Sequence, residues 1–193
     1  MSEIAELKAD MRREALRQRA SMRADADDME AFCDHFFGAV DVGEGLVVSA
    51  YWPKGREFNA GPAIEEILKR RAILGLPVVE KDSRILKFAA WSGEPPLVPG
   101  PFGVMHPPVD ERTCWVEPDV VIVPLLAFDR RGYRLGYGGG YFDATLSGLR
   151  ARKKLLAVGV GYAQQACLFN LPADEHDQRL DMIVTPQQVL RFE

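Results

Sequence analysis

"PDVVIVPLLAFD", Pro118–Asp129, is the stretch on which the fold reading turns. It is almost continuously apolar and rich in β-branched residues, which marks a strand covered on both faces rather than one side of a solvated hairpin. It runs into "RRGYRLGYGGG", read as a loop, and then into "GGYFDATLSGLRARK", read as a helix. Strand, loop and helix in that order are the building unit of a parallel sheet. The alternation repeats on either side. "GLVVSAYW", "AILGLPVV" and "RILKFAAW" read as strands upstream, and "LLAVGVGY" and "LDMIVTP" downstream. A first helix is predicted up to about Ala20, because Ile4, Leu7, Met11 and Ala15 recur at three- and four-residue spacing. A second is predicted over Asp27–Val40. A third covers "NAGPAIEEILKRR", with Asn59 or Gly61 as its cap and Pro62 at its first position. Ser92–Pro118, rich in Pro and Gly, reads as a long ordered loop. The expectation is a three-layer αβα fold of the α/β class, with a mostly parallel central sheet and one domain over residues 1–193. Ligands of such sheets bind outside the carboxyl ends of the strands. Tyr51–Glu57, Ala127–Phe142 and the loop after Tyr162 are therefore expected to share one rim.

The composition agrees. Apolar residues make up 47% of the 193 residues and charged residues 27%, enough for a real core. The net charge of -4 argues against a nucleic-acid partner, although local basic clusters can still hold an anionic ligand. Cys33, Cys114 and Cys167 are scattered and form no C-x-x-C pair, so buried free thiols are expected rather than zinc or disulfides. "MSEIAELKAD" has no apolar core of a signal peptide, and "VVIVPLLAF" is too short to span a bilayer. A cytoplasmic protein without a membrane partner is expected.

The glycine loop carries the chemistry. Four of the seven residues Arg134–Gly140 are glycine, just before a helix. Glycine lets backbone N–H groups approach a ligand, and a helix start adds partial positive charge, so phosphate is the natural guest. Arg130, Arg131 and Arg134 could add full charges. Asp143 follows at once, and a carboxylate beside a phosphate cradle calls for a cation between them, usually magnesium. The loop lacks the Gly-Lys-Ser/Thr ending of a P-loop and the third glycine of a dinucleotide fingerprint. A turn required only for packing is the plainer alternative.

At these residues the chain resembles the 5-formyltetrahydrofolate cyclo-ligase (5,10-methenyltetrahydrofolate synthetase) family. The signature is "FDRRGYRLGYGGGYFDATL", Phe128–Leu146, supported by Lys8 and Arg12, "YWPKGREF", "PFGVMHPP" and "HDQRLDMIVTP" in the same order. The resemblance implies a three-layer α/β fold and a magnesium-dependent reaction in which ATP drives closure of 5-formyltetrahydrofolate to 5,10-methenyltetrahydrofolate, releasing ADP and phosphate. It implies that a phosphorylated formyl group forms on the way, which requires no protein nucleophile. It assigns Lys8, Arg12, Arg134, Leu135, Gly136, Tyr137, Gly138, Gly139, Gly140, Tyr141 and Phe142 to ATP. It assigns Arg12, Trp52, Glu57, Tyr137, Gly138, Gly139, Gly140 and Tyr141 to the folate, Arg134 and Asp143 to catalysis, and Asp143 and Asp177 to the metal. Asp174, Glu175 and Asp181 are rivals of Asp177. Some family members carry basic residues where this chain has Tyr137 and Gly139, and a second tyrosine where it has Phe142. None of His35, His106 and His176 is assigned a role. A sugar-phosphate isomerase, a CoA-transferase type of enzyme, or a non-catalytic folate or nucleotide binder are the competing readings, and the protein is expected to be a monomer acting on small molecules.

Overall fold

The computed structural model describes residues 3–192. In chain order these form α1 (Glu3–Arg19), α2 (Ala26–Ala39), β1 (Val47–Ser49), α3 (Gly61–Lys69), β2 (Ile73–Val78), β3 (Lys87–Ala90), β4 (Val98–Pro99), β5 (Met105–His106), β6 (Trp115–Val116), β7 (Val120–Pro124), β8 (Ala127–Phe128), β9 (Arg134–Leu135), α4 (Tyr141–Arg150), β10 (Leu156–Val160), β11 (Met182–Val184) and β12 (Val189–Arg191). Eight strands make one sheet in the order β12-β11-β10-β7-β1-β2-β3-β6. The neighbours from β11 through β10, β7 and β1 to β2 are all parallel, while β12, β3 and β6 join antiparallel at the margins. The three-layer, mostly parallel α/β architecture is as expected.

Alternation along the central strands explains the layers. Val48, Val120, Ile122, Val158, Val160, Met182 and Val184 face α2 and α3, where Phe32, Phe36, Ile64 and Ile67 complete the core. Val121, Val123, Ala157 and Ile183 point the other way, onto Leu146 and Leu149 of α4. Both faces are covered, which is why these strands read as unbroken apolar runs. Gly159 keeps β10 close to its cover. A Cβ there would lie 2.5 Å from Leu180 Cδ1 and 3.0 Å from Ile183 Cγ1.

Local signals set the helix ends. Asp25 accepts from Asp28 N at 2.9 Å while Asp28 accepts from Asp25 N at 3.3 Å, a reciprocal cap on α2. The cap position of α3 falls on Ala60, between the two expected residues, and Asn59 Oδ1 accepts from Gly61 N at 3.0 Å.

Five expectations need correction. The first helix is present, but the spacing that predicted it does not mark its buried face: Ile4 and Leu7 are 41% and 51% exposed, whereas Lys8 and Arg19 of that helix are buried. α1 meets the rest of the fold largely through a polar face, and only Met11 and Ala15 join an apolar cluster, with Leu126, Leu135 and Leu171. Ser92–Pro118 is not one loop, because it holds the β4–β5 ribbon and the edge strand β6. "RRGYRLGYGGG" likewise contains β9, paired with β8. Finally, all three thiols are free but none is fully buried: Cys33 and Cys167 are half-buried and Cys114 is exposed. β12 was also absent from the expected elements.

Candidate active site

From β1 the chain crosses through α3 to β2 on one side, while β7 lies on the other side of β1. The carboxyl ends of β1 and β7 therefore flank a crevice where connections diverge, the place where open α/β sheets bind ligands. A cleft of about 1180 Å³ opens there. Its walls are Tyr51–Glu57 after β1 (Pro53 apart), Pro124 at the end of β7, Arg134–Ala144, one face of α1, and Asp174–Gln178. The loop after Tyr162 thus reaches the cleft only in its later part. Phe102 and Val104 cover one side.

The α1 face consists of Ala5, Lys8, Arg12, Leu16 and Arg19, spaced three or four residues apart. Each basic residue on it has a definite partner. Lys8 Nζ bonds Asp174 Oδ2 at 2.8 Å and Asp177 Oδ2 at 2.5 Å. Burial lowers the Lys8 ammonium pKa, but the hydrogen bonds and charges of the two aspartates outweigh that, and the net shift is upward. Asp174 is held below the usual carboxylate range, first by its bond from Lys8 and then by His176 N. Arg12 Nε donates to Gly136 O at 2.9 Å. Its guanidinium lies against Gly138, where φ is +98° and a Cβ would stand 3.2 Å from Arg12 Cζ. This is a position where glycine is needed both for its backbone and for close approach. Arg19 bonds the Tyr137 hydroxyl.

The loop ends at Gly140, φ +70°, which starts α4 with no side-chain cap. The first N–H groups of α4 are thus left for a ligand at the positive end of the helix. Beneath the loop, Arg134 Nη2 donates to Asp143 Oδ1 at 2.9 Å and Nη1 to Gln178 O at 2.9 Å. The Arg134 side chain is only 4% exposed. Its burial pulls the guanidinium pKa down, with Asp143 opposing. Asp143 Oδ1 also accepts from Gln178 N at 3.0 Å, so Arg134, Asp143 and the Gln178 loop are one unit.

The turn after β1 is equally specific. Tyr51 is buried and donates to Phe58 O at 2.8 Å, closing the loop between them. Glu57 Oε2 accepts from Lys54 N at 2.7 Å. Trp52, 39% exposed, sets its indole edge-on to Trp91 with ring centroids 5.8 Å apart.

Most of the residues singled out from the sequence come together here, but Arg130 and Arg131, expected to add charge to the glycine loop, do not: they lie outside the cleft, and Arg131 is bonded to Asp129 and Leu171 O. Lys8, Arg12, Trp52, Glu57, the whole run from Arg134 to Asp143, and Asp177 all line the cleft. Leu135 is buried in an apolar cluster, so only its backbone can meet a ligand. Phe142 packs into the core beneath α4. Of the rivals of Asp177, Asp181 is engaged elsewhere, with Arg150 Nη2 at 2.9 Å and Ala157 N at 2.7 Å. Asp174 shares Lys8 with Asp177. His176 lines the cleft with its side chain 87% exposed, while His35 and His106 bond backbone carbonyls outside it. Sequence reasoning gave no individual role to Arg19, Tyr51, Phe102 or Gln178, although Tyr51 opens a segment expected on the rim. The signal for Arg19 was present, since it continues the Lys8–Arg12 face two turns on.

The chain matches the 5-formyltetrahydrofolate cyclo-ligase family over residues 4–186. It is 33% identical to a 5-formyltetrahydrofolate cyclo-ligase of Mycolicibacterium smegmatis over 150 residues, covering 75% of each chain. It is 36% identical to one of Escherichia coli over 139 residues, covering 69% of this chain and 74% of the other. Its fold is similar to the solved 5,10-methenyltetrahydrofolate synthetase of Aquifex aeolicus, with a TM-score of 0.74 at 29% identity, covering 97% of this chain and 93% of that one.

Proposed function

The chain belongs to the 5-formyltetrahydrofolate cyclo-ligase family, and from that premise we propose that it uses ATP to close 5-formyltetrahydrofolate to 5,10-methenyltetrahydrofolate, with release of ADP and phosphate. The observation that carries the reading is the shared cleft. The glycine loop, the basic face of α1 and the Trp52–Glu57 turn open into one cavity of about 1180 Å³. That exceeds the ~300–1,000 Å³ of ordinary small-molecule sites and suits two ligands held side by side.

The roles follow from chemistry. The phosphates lie along Gly136, Gly138, Gly139 and Gly140 and the start of α4, where backbone donors and the helix end stabilise their charge. Lys8, Arg12 and Arg134 supply full charges on three sides, with Tyr141 and Phe142 completing the nucleotide wall. Trp52 covers the pterin ring and Glu57 accepts from its adjacent amino and N–H groups. The formyl oxygen attacks the γ-phosphate and ADP leaves. N10 then attacks the activated carbon, and phosphate leaves. Positioning and charge stabilisation suffice for both steps, and Arg134, buried beside Asp143 under the loop, adds positive charge beneath the phosphates.

Asp143 and Asp177 fit magnesium. Among the described residues the hydrogen bonds on Asp143 fall on Oδ1 and those on Asp177 on Oδ2, which leaves each a second oxygen for a ligand. Among the described residues no three His, Cys, Asp or Glu gather into a cage, and magnesium commonly takes only one or two carboxylates beside substrate phosphates and water. Bound there, it would neutralise phosphate charge. The three free thiols favour a reducing compartment, and we place the protein in the cytoplasm as a single domain acting as a monomer.

Mixing protein, 5-formyltetrahydrofolate, ATP and magnesium should raise the near-ultraviolet absorbance and release ADP only when the folate is present. Folded protein that gives neither signal overturns the proposal.

A further inference from the structure

Arg12 and Arg19 are the two guanidiniums on the cleft face of α1, and both close on the glycine loop. Arg12 donates to Gly136 O at 2.9 Å and lies against Gly138. Arg19 takes the residue between them. Its Nη1 donates to the Tyr137 hydroxyl, and its Cζ lies 5.3 Å from the Tyr137 ring centroid. Lys8 meets Asp174 and Asp177. Neither arginine has a carboxylate within ion-pair distance among the described residues.

That matters most at Arg19, which is 5% exposed and lines the cleft. Taking a guanidinium that far out of water is costly unless an opposite charge meets it. Tyr137 is not that charge, because burial, above all, raises its phenol from the ordinary 10.0 and keeps it neutral. The carboxyl end of α1, where Arg19 stands, offers only about half a negative charge. Arg19 Nε is buried with no partner, and Nη2 donates to none of the described residues. Nη2 is therefore the donor left for a ligand.

We propose that Arg19 is a ligand-binding residue of the cleft: it takes its counter-ion from a phosphate of the bound nucleotide, met through Nη2, while Tyr137 holds the guanidinium in place. The inference rests on the assignment of the glycine loop to ATP made above. Phosphate is favoured over a folate carboxylate because the side chain that fixes Arg19 belongs to that loop. The arrangement also puts on α1 a charge that Tyr137 and Gly139 do not place in the loop.

Arg19→Met keeps an unbranched apolar stem and removes the charge. Calorimetric titration with magnesium and ATP should show binding weakened about 10-fold or more, the usual effect of losing a hydrogen bond to a charged group. Titration with 5-formyltetrahydrofolate should change by less than about twofold. The ligand-free variant should unfold at an unchanged or higher temperature, because a buried charge without a counter-ion has gone. An arginine kept for stability would give the opposite sign. Arg19→Lys, which keeps the charge but not the planar fork, should fall between wild type and Arg19→Met in nucleotide affinity. In wild-type protein the Arg19 Nε–Hε resonance, assigned through its own backbone, should move on addition of magnesium and ATP. Nucleotide binding within about twofold of wild type in Arg19→Met, an equal or larger loss for the folate, or a lowered ligand-free midpoint would overturn the proposal. So would an Arg19 resonance that magnesium and ATP leave in place, a result that counts even if no variant folds. Wild-type protein that binds no nucleotide removes the functional reading, and this one with it. Wild-type turnover with a nucleotide affinity blind to Arg19 removes this one alone.

Discussion

Arg134 and Asp143 show how one contact serves fold and site together. The arginine side chain is 4% exposed and the aspartate 27%, and they meet at 2.9 Å. Removing the carboxylate charge leaves a buried guanidinium less compensated, and it removes a proposed metal ligand. Asp143→Asn keeps the shape and an acceptor oxygen. Activity should fall by about 100-fold or more, while thermal unfolding shows a folded protein with its midpoint lowered by several degrees. Full magnesium-dependent activity in this variant would take Asp143 out of the metal site. At this scale the sequence was informative where residue type and motif coincide, as at Lys8, Arg12, Glu57 and Asp143. It placed Arg19 on the Lys8–Arg12 face without showing that it is buried, and it was silent on Gln178. An arginine on a helix reads as a solvated group unless the packing around it is known, and Gln178 acts through its backbone, which no residue pattern reveals.

Among the elements, α1 is the most dependent on charge. Its tie to the Asp174–Asp177 loop runs through Lys8, which is 8% exposed. The folded ammonium pKa lies above the ordinary value of 10.5, so the stability it contributes is complete below that pH and is lost as pH rises through the folded value. The folded Asp174 pKa lies below the ordinary 3.8, so its contribution holds above that pH and fades as pH falls through the folded value. Hydrogen exchange should therefore show α1 opening in strong alkali and again in strong acid, with the sheet strands still protected. The β8–β9 hairpin depends on Asp129 instead. That carboxylate is 0% exposed and accepts from Arg131 N, Tyr133 N, Leu171 N and the Arg131 guanidinium. Asp129→Ala should lower stability by about 3–5 kcal/mol, read as a fall in the denaturation midpoint at constant slope. The central strands were legible because burial on both faces leaves an unbroken apolar run. β6, β9 and β12 were not, since strands of two or three residues at a margin are set by neighbouring backbone rather than by their own composition. The Ile4–Leu7–Met11–Ala15 spacing predicted α1 correctly, but periodicity shows that a helix is two-sided without showing which side finds a partner.

At the scale of the whole molecule, the cleft gathers segments from both ends of the chain and from its middle. A ligand that binds only this arrangement must stabilise all of it. Saturating ATP, magnesium and a folate, at ~100 times their dissociation constants, should each add about 2.7 kcal/mol. The thermal midpoint should rise, and exchange should slow in α1 as well as in the glycine loop. Protection confined to the loop would mean that α1 is not part of the ligand site.

The bonds from Lys8 to Asp174 and Asp177 span 166 and 169 residues. On the ribosome, α1 is made more than 160 residues before its anchors. The basic face of the helix must wait, exposed, while nearly the whole sheet is synthesised and assembled. The nucleotide cannot be gripped on this side until the segment carrying Asp174 and Asp177 has left the exit tunnel. A nascent chain arrested before Asp174 should leave α1 open to protease even when ATP is abundant, and release of the remaining residues should close that access.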